Sequence, residues 1–164
     1  MQWQYSDFNG LTVFALYEVL RLRQSVFVIE QKCLFLDADG LDPLAMHMMG
    51  WKEGKLAVYA RILPPGVKYG EHSIGRVVVE PKARKGGLAS AAIREAIARI
   101  LATSPGTAIR IQAQNHLADT LYKPLGFERI SPVYDEDGVP HVDMMLQNPY
   151  RLWENSEARE RRAR

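Results

Sequence analysis

The chain has 164 residues, of which 47% are hydrophobic and 24% are charged, and its formal net charge is +2 at pH 7. This length suits one ordinary domain and this composition is that of a soluble globular protein, while the nearly balanced charge gives no indication of a nucleic-acid or membrane partner. The single cysteine, Cys33, excludes an internal disulfide, and since there is neither a signal-peptide pattern nor an apolar run of membrane-spanning length, we expect a cytoplasmic protein.

An edge strand and a long helix are predicted at the beginning of the chain. Residues 3–8 alternate between apolar and polar side chains, which predicts a short strand. Apolar side chains at helical spacing predict an amphipathic helix over residues 11–30, with Thr12 as its start signal. We expect Arg21 and Arg23 on the polar face of this helix.

An irregular, acidic segment follows at residues 32–45 and contains Asp37, Asp39 and Asp42. These aspartates do not form a calcium loop, because Gly40 is the fourth residue of the pattern and an EF-hand needs glycine at the sixth. Two interpretations stay open for this segment. It is either a solvated acidic turn or the wall of an acceptor pocket in which the carboxylates favour a cationic amine.

A β-hairpin and a loop come next. Residues 46–52 and 55–63 are strand patterns separated by Glu53 and Gly54, which is a tight-turn signal. Residues 64–70 contain prolines and glycines and are predicted to form a loop.

The central pattern of the sequence is a strand, a glycine loop and a helix. Residues 74–79 include the apolar, β-branched Ile74, Val77, Val78 and Val79, and residues 88–101 repeat apolar side chains at three- and four-residue intervals. Gly86 and Gly87 lie between them and lack the Cβ atoms that would keep a ligand away from the backbone. The first turn of a helix leaves amide N–H groups without internal partners, so this layout predicts a phosphate site. Neither a P-loop nor a Rossmann glycine pattern is present.

The remaining predicted elements return to the sheet. They are a buried strand, a short helix and two paired strands, at residues 108–114, 117–123, 127–130 and 141–146. Strands that alternate with helices, together with two hairpins, predict an α/β fold with a mixed sheet and helices on both faces. We expect one domain over residues 1–150 and a charged tail over residues 151–164.

Two motifs within this pattern resemble the GNAT superfamily of N-acyltransferases. The first, Arg84-x-x-Gly87-x-Ala89 directly after the valine strand, is similar to the acyl-CoA signature of that superfamily. The second, at residues 115–127, has Asn, Ala, Leu-Tyr and Gly-Phe where the superfamily has them. The segments 20–31 and 134–141 further resemble its ElaA-like branch.

The resemblance implies a three-layer α/β/α fold with a mixed, mostly antiparallel sheet of about six to seven strands and about four helices. It implies that an acetyl group passes from acetyl-CoA, as co-substrate, to a primary amine of a small molecule or peptide by direct attack in a ternary complex, without a metal. The residues implied to bind CoA are Val77, Val78, Val79, Arg84, Lys85, Gly86, Gly87, Leu88, Ala89, Ser90 and Asn115. No nucleic acid or membrane is expected as a partner, and a homodimer stays open.

The resemblance also implies catalytic side chains. Tyr122 is the implied general acid, because a phenol keeps its proton at pH 7 and can give it to a departing thiolate. Glu30, Glu80 and His141 are the candidates for the general base, and transfer of the proton through water is the alternative.

Other reactive side chains are expected to be structural. Cys33 has no basic partner nearby in sequence and is followed by apolar residues, so we expect it to be buried and inert. His47 and His116 are lone histidines, which are usually hydrogen-bonded structural residues, and the histidines show no metal-ligand spacing.

Two other functions stay open. A CoA-binding regulatory module would keep the phosphate loop and lack turnover. A nucleic-acid-binding protein would use Arg84, Lys85 and the arginine-rich tail, but the balanced charge and the lack of an aromatic and basic stripe disfavour it.

Overall fold

An eight-stranded mixed sheet forms the centre of the computed structural model, which describes residues 1–147. The strands are β1 (Gln2–Asp7), β2 (Met46–Lys52), β3 (Lys55–Leu63), β4 (His72–Val79), β5 (Ile109–Gln114), β6 (Glu128–Arg129), β7 (Tyr134–Glu136) and β8 (Val139–Leu146). Their order across the sheet is β1-β2-β3-β4-β5-β8-β6, and β7 also pairs with β8. All of these pairs are antiparallel except β4 and β5, which are parallel, so the predicted mixed and mostly antiparallel sheet is confirmed.

Helices cover both faces of this sheet. They are α1 (Val13–Arg23), α2 (Leu88–Thr103) and α3 (Asn115–Leu117), which continues as a π-helical segment, Ala118–Tyr122. Neighbouring residues of one strand point to opposite faces. Met49 and Tyr59 pack with α1 on one face, whereas Met48 and Val58 pack with α2 on the other. The three-layer arrangement is therefore confirmed.

The first helix begins where the sequence predicts and buries an arginine that the sequence pattern placed in solvent. The Thr12 hydroxyl accepts a hydrogen bond from the Ala15 amide at 3.1 Å, and the helix continues beyond Arg23 as a π-helical segment, Gln24–Glu30. The prediction that Arg23 lies on the polar face was wrong, because its side chain is completely buried. Arg23 follows the buried Val19 by four residues and therefore lies on the same buried face of the helix.

Two tight turns fix the hairpins of the sheet. Glu53 and Gly54 have φ angles of 51° and 73°, the left-handed conformation that a two-residue hairpin turn needs, which confirms the predicted turn between β2 and β3. Asp137 and Gly138 have φ angles of 52° and 81° and join β7 to β8. The sequence pattern predicts only a turn between two strands in this second region. The structure shows that the region also contains β7, a strand that was not predicted. The predicted pairing of the segments 127–130 and 141–146 is confirmed by β6 and β8.

A β-bulge in β4 opens the sheet beside β5. Tyr59 of β3 pairs with Val78, but Arg61 pairs with Gly75, so two residues of β4 face one residue of β3. Arg76, in the bulge, has a φ of 50°, a left-handed conformation that costs about 1 kcal/mol for a residue with a side chain. A bulge bends its strand, and β4 pairs with β5 only through its first two residues. The remaining edge of β4 lies unpaired beside the gap.

No helix within residues 1–147 combines the length and the hydropathy needed to cross a bilayer. The charged tail predicted at residues 151–164 lies outside the described residues, and the boundary of the domain at residue 150 stays a prediction.

Candidate active site

A cavity of about 330 Å³ lies where β4 and β5 separate. One wall is the bulged part of β4, and the opposite wall is β5 with α3 and the helical turn that follows it. The end of the first helix and the segment 33–39 close one side, and the turn between β7 and β8 closes the other. The cavity therefore brings together elements that are far apart in sequence, which is typical of a binding site.

The start of α2 offers backbone amides that the protein leaves uncapped. Gly87 is the residue before the helix, and among residues 1–147 no side chain caps this end. Its φ of 69° and the φ of 75° at Lys85 place the loop in left-handed conformations, which turn successive N–H groups toward one side. A Cβ added at Gly86 or Gly87 would meet nothing within 4 Å, so open space adjoins this backbone. The arrangement suits an anion such as a phosphate.

Arg84 is held by a carboxylate that the sequence analysis proposed as a general base. Its guanidinium donates two hydrogen bonds to the Glu30 carboxylate, at 2.7 and 2.8 Å, and a third to the Val79 carbonyl at 3.3 Å. The hydrogen bonds from Arg84 lower the pKa of Glu30. Glu30 does not line the cavity, so its position and its ion pair disfavour a role in accepting a proton there.

Tyr122 lines the cavity and keeps its phenol proton. The side chain is 8% exposed and packs edge-on against Phe127, with the ring centroids 6.1 Å apart. Burial raises the pKa of Tyr122 to about 12. Within residues 1–147 the hydroxyl group makes no hydrogen bond, so it is available to a ligand. The turn with Pro124 and Gly126 ends the helix after Tyr122 without moving the side chain out of the cavity.

His141 is the base candidate that lines the cavity. Its Nδ1 lies 2.8 Å from the Val139 carbonyl, and its ring stacks on Tyr134 with the centroids 6.5 Å apart. Because a carbonyl only accepts hydrogen bonds, Nδ1 carries the proton, and Nε2 of the neutral ring keeps its lone pair. Glu80, the third candidate, follows β4, donates its amide to Ala57 at 2.9 Å and does not line the cavity.

The residues implied to bind CoA lie in three places. Val77 lines the cavity, whereas the side chain of Val78 is buried on the α1 face, and Val79 packs on the α2 face. The loop and the first turn of α2 hold residues 84–90 together. Asn115 begins α3, and its side-chain oxygen accepts a hydrogen bond from Arg129 at 2.8 Å, so it is already occupied within the protein.

The acidic segment is neither a solvated turn nor a free acidic wall. Asp37 and Asp42 are 5% and 7% exposed, which contradicts the first interpretation. The three aspartates pair with three arginines at N–O distances of 2.6 to 3.1 Å. These pairs join Arg23, Arg61 and Arg76 to Asp37, Asp39 and Asp42, a set called here the charge network. The segment lines the cavity, as the second interpretation predicts, but the charge network balances and so offers no net negative charge to a cationic amine.

The remaining reactive side chains are structural or exposed. His47 is buried between the Tyr59 hydroxyl and the Asp42 carbonyl, at 2.8 and 3.0 Å, and burial lowers its pKa. Cys33 lines the cavity but is only 5% exposed, and burial raises the pKa of its thiol, so the prediction of a buried cysteine is confirmed. His116 is on the surface. Within residues 1–147 no group of three or more His, Cys, Asp or Glu side chains is arranged to hold a metal ion.

Several polar residues of the cavity were missed by the sequence analysis. Gln112 and Gln114 project from β5 into the cavity, because every second residue of that strand is buried in the core. Gln114 donates a hydrogen bond to Gln31 at 3.0 Å across the gap. The alternation of β5 was a signal that could have identified these residues. Lys68 and Tyr69 also line the cavity, and their loop has no periodic pattern that predicts it.

Comparisons with known proteins agree with this geometry. Residues 44–148 match the family model described as an acetyltransferase (GNAT) domain. A UPF0039 protein of Synechocystis sp. is 37% identical over 150 residues, which are 91% of this chain and 97% of the relative. The crystal structure of an acyl-CoA N-acyltransferase from Pseudomonas aeruginosa has a TM-score of 0.83 at 37% identity, and that of Escherichia coli ElaA has 0.82 at 35%. Each of these two comparisons covers 88% of this chain and 97% of the other chain.

Proposed function

The chain belongs to the GNAT acetyltransferase family, with ElaA and UPF0039 proteins among its relatives, and we propose that it transfers an acetyl group from acetyl-CoA to a primary amine. One observation carries the proposal. The unpaired edge of β4 and the Tyr122 side chain border the gap between β4 and β5, and the uncapped start of α2 follows β4 after a short loop. A donor with a diphosphate and an extended arm suits such a gap.

The start of α2 fits the diphosphate of CoA. Its first-turn amides have no internal partners, and the helix dipole adds partial positive charge there. Arg84 and Lys85 supply two cations beside these amides. The open space at Gly86 and Gly87 allows a ligand to approach the backbone. The unpaired N–H and C=O groups of β4 suit the amide groups of the pantetheine arm.

The chemistry requires one bond to form and one to break. The nitrogen of the amine attacks the carbonyl carbon of the thioester, and the bond from that carbon to sulfur breaks. In this proposal, backbone N–H groups of the bulge at Arg76 and Val77, which line the cavity, stabilise the negative charge on the carbonyl oxygen. Tyr122 donates its proton to the departing thiolate, and its raised pKa keeps that proton in place until then. His141 accepts the proton that the amine loses, through the lone pair of Nε2.

Two measurements test this function together. Calorimetry measures whether acetyl-CoA binds, and a thiol-release assay with a panel of amines, polyamines, aminoglycosides and peptide N-termini measures turnover. We expect saturable binding and thiol release that depends on the amine. Binding without any release would favour the CoA-binding regulatory module, and an absence of binding would contradict both functions.

A further inference from the structure

The arginines that reach the cavity carry no charge that is available to an acceptor. Arg61 and Arg76 both line the cavity, but each pairs with two aspartates of the charge network, at 2.6 to 3.1 Å. Arg61 is 3% exposed. Within this network the three arginines and the three aspartates balance, so it supplies a rigid wall without a net charge. Any selection of the acceptor by charge must come from other residues of the cavity.

Lys68 is a cation of the cavity without such a partner. Its ammonium donates a hydrogen bond to the Gln112 side-chain oxygen at 2.8 Å, and no carboxylate within residues 1–147 pairs with it. Two carboxylates on the turn between β7 and β8, Glu136 and Asp137, also line the cavity, and within residues 1–147 neither forms an ion pair; Glu136 favours the charged form of Lys68 through space. Burial and then the nearby Arg76 lower the pKa of Lys68. An anion placed beside Lys68 would stabilise the charged ammonium.

The loop that carries Lys68 is braced against the sheet. The Tyr69 ring lies 4.2 Å from the Arg110 guanidinium and 5.3 Å from the Lys68 ammonium. The Gly66 amide donates a hydrogen bond to the Tyr69 carbonyl at 2.7 Å, which closes the loop. Lys68 is an exposed residue at the rim of the cavity, where the hydrogen bond to Gln112 and the Tyr69 ring position its ammonium. Such positioning is needed for a residue that selects a ligand.

We propose that the acceptor amine also carries a carboxylate, which Lys68 and the side-chain amide of Gln112 bind; this inference rests on the proposed function. Gln112 accepts from Lys68 through its oxygen, so its nitrogen carries two N–H donors; one faces the Tyr134 hydroxyl and the other remains for a ligand. Gln114, two residues further along β5, marks the end of the cavity near His141, with which it is paired in the sheet. Two residues of a strand span about 7 Å. This spacing suits a small amino acid, whose amine and carboxylate are a few bonds apart, better than a polyamine or an aminoglycoside.

The inference is tested with matched acceptors and matched variants. Each amino acid is compared with its own carboxamide, which keeps the length and removes the charge. We expect the amino acid to be acetylated with a kcat/KM about 10- to 100-fold above that of its amide, the range for a hydrogen bond between charged groups. The variant Lys68→Met should lose this preference, because kcat/KM should fall much more for the amino acids than for the amides, and Lys68→Arg should restore much of it. The control Lys55→Met alters a lysine outside the cavity and should keep the preference.

Three outcomes would overturn the inference. The first is an equal kcat/KM for acids and amides in the unchanged protein. The second is an equal loss for both in Lys68→Met, which would show a structural role. The third is a higher kcat/KM for an aminoalkylphosphonate than for the matching amino acid. The anion that the site selects on the acceptor would then be a phosphonate or phosphate and not a carboxylate. Each of these outcomes counts only in a protein that still binds acetyl-CoA. Donor binding is therefore measured separately, and its loss would indicate failure of the proposed function instead.

Discussion

Arg84 and Glu30 are 54 positions apart in sequence and form a two-hydrogen-bond ion pair, with N–O distances of 2.7 and 2.8 Å, that joins the end of the first helix to the loop before α2. The side chains are 39% and 41% exposed, so water weakens the pair. The guanidinium that we propose to bind the diphosphate is thus held by a carboxylate of the protein. Donor binding must compete with that carboxylate.

The variant Glu30→Gln should bind acetyl-CoA more tightly, because Arg84 is released from its ion pair. The expected gain is about two- to five-fold in Kd, the range for an exposed pair. Calorimetry measures it, and Glu18→Gln, which removes an exposed ion pair with Arg21, is the control. If Glu30 were instead the general base, kcat would fall by about 100-fold or more with Kd unchanged.

Replacing Tyr122 by phenylalanine should lower kcat by about 100- to 1,000-fold and leave the KM for acetyl-CoA within two-fold. The change removes the proton donor and keeps the ring that packs against Phe127. Because burial raises the pKa of Tyr122 to about 12, ionisation of this phenol should not reduce the activity of the unchanged protein at pH 9. Tyr17→Phe, on the exposed side of α1, is the matched control. An unchanged kcat in Tyr122→Phe would remove this residue from the reaction.

The variant Gly87→Ala should weaken acetyl-CoA binding, because the left-handed φ of 69° is strained for alanine and the loop will relax away from it. Gly54→Ala is a close control, since Gly54 has a φ of 73° and also has nothing within 4 Å of an added Cβ. Both variants should lose about 1 kcal/mol of unfolding free energy. Only Gly87→Ala should change the Kd measured by calorimetry. Equal donor binding in both variants would argue against a diphosphate site at α2.

The variant Asp42→Asn should lower the free energy of unfolding by about 3 kcal/mol, because it leaves two buried guanidinium groups with one carboxylate fewer. Burial raises the pKa of Asp42, but hydrogen bonds from Arg23 and Arg61 outweigh this and lower it overall. A lowered pKa in the folded state stabilises the protein above the pKa of the unfolded aspartate, near 3.9, and this contribution is lost as the pH falls. The variant should therefore lose less stability on acidification than the unchanged protein does.

Thermal unfolding between pH 7 and pH 3 measures both effects of Asp42→Asn. The control is Asp119→Asn, which removes an exposed ion pair with Arg129 and should change stability by less than about 1 kcal/mol. Equal losses in the two variants would contradict a buried network that stabilises the fold.

Much of the fold follows from local sequence patterns. The strands β2 and β3 have the bounds that the strand patterns and the turn at Glu53 and Gly54 predict. The helix α2 begins at the predicted residue, because Gly87 ends the loop and the apolar period starts directly after it. The two GNAT motifs identify the family because they combine order and spacing over about forty residues.

The charge network and the cavity depend on pairings that local patterns do not contain. Arg23 was assigned to solvent by its charge, although its spacing from Val19 places it on the buried stripe. Its partners Asp37 and Asp42 lie 14 and 19 residues away in a segment without periodicity. The bulge at Arg76 is likewise set by the register with β3, and sequence alone does not indicate a left-handed arginine.

A crystal structure of the protein with coenzyme A tests the proposed donor site. We predict that the diphosphate lies on the amides of residues 86–89 at the start of α2, that the arm follows the unpaired edge of β4, and that the thiol ends beside the Tyr122 hydroxyl. Coenzyme A bound outside the gap between β4 and β5, or a thiol directed away from Tyr122, would contradict it.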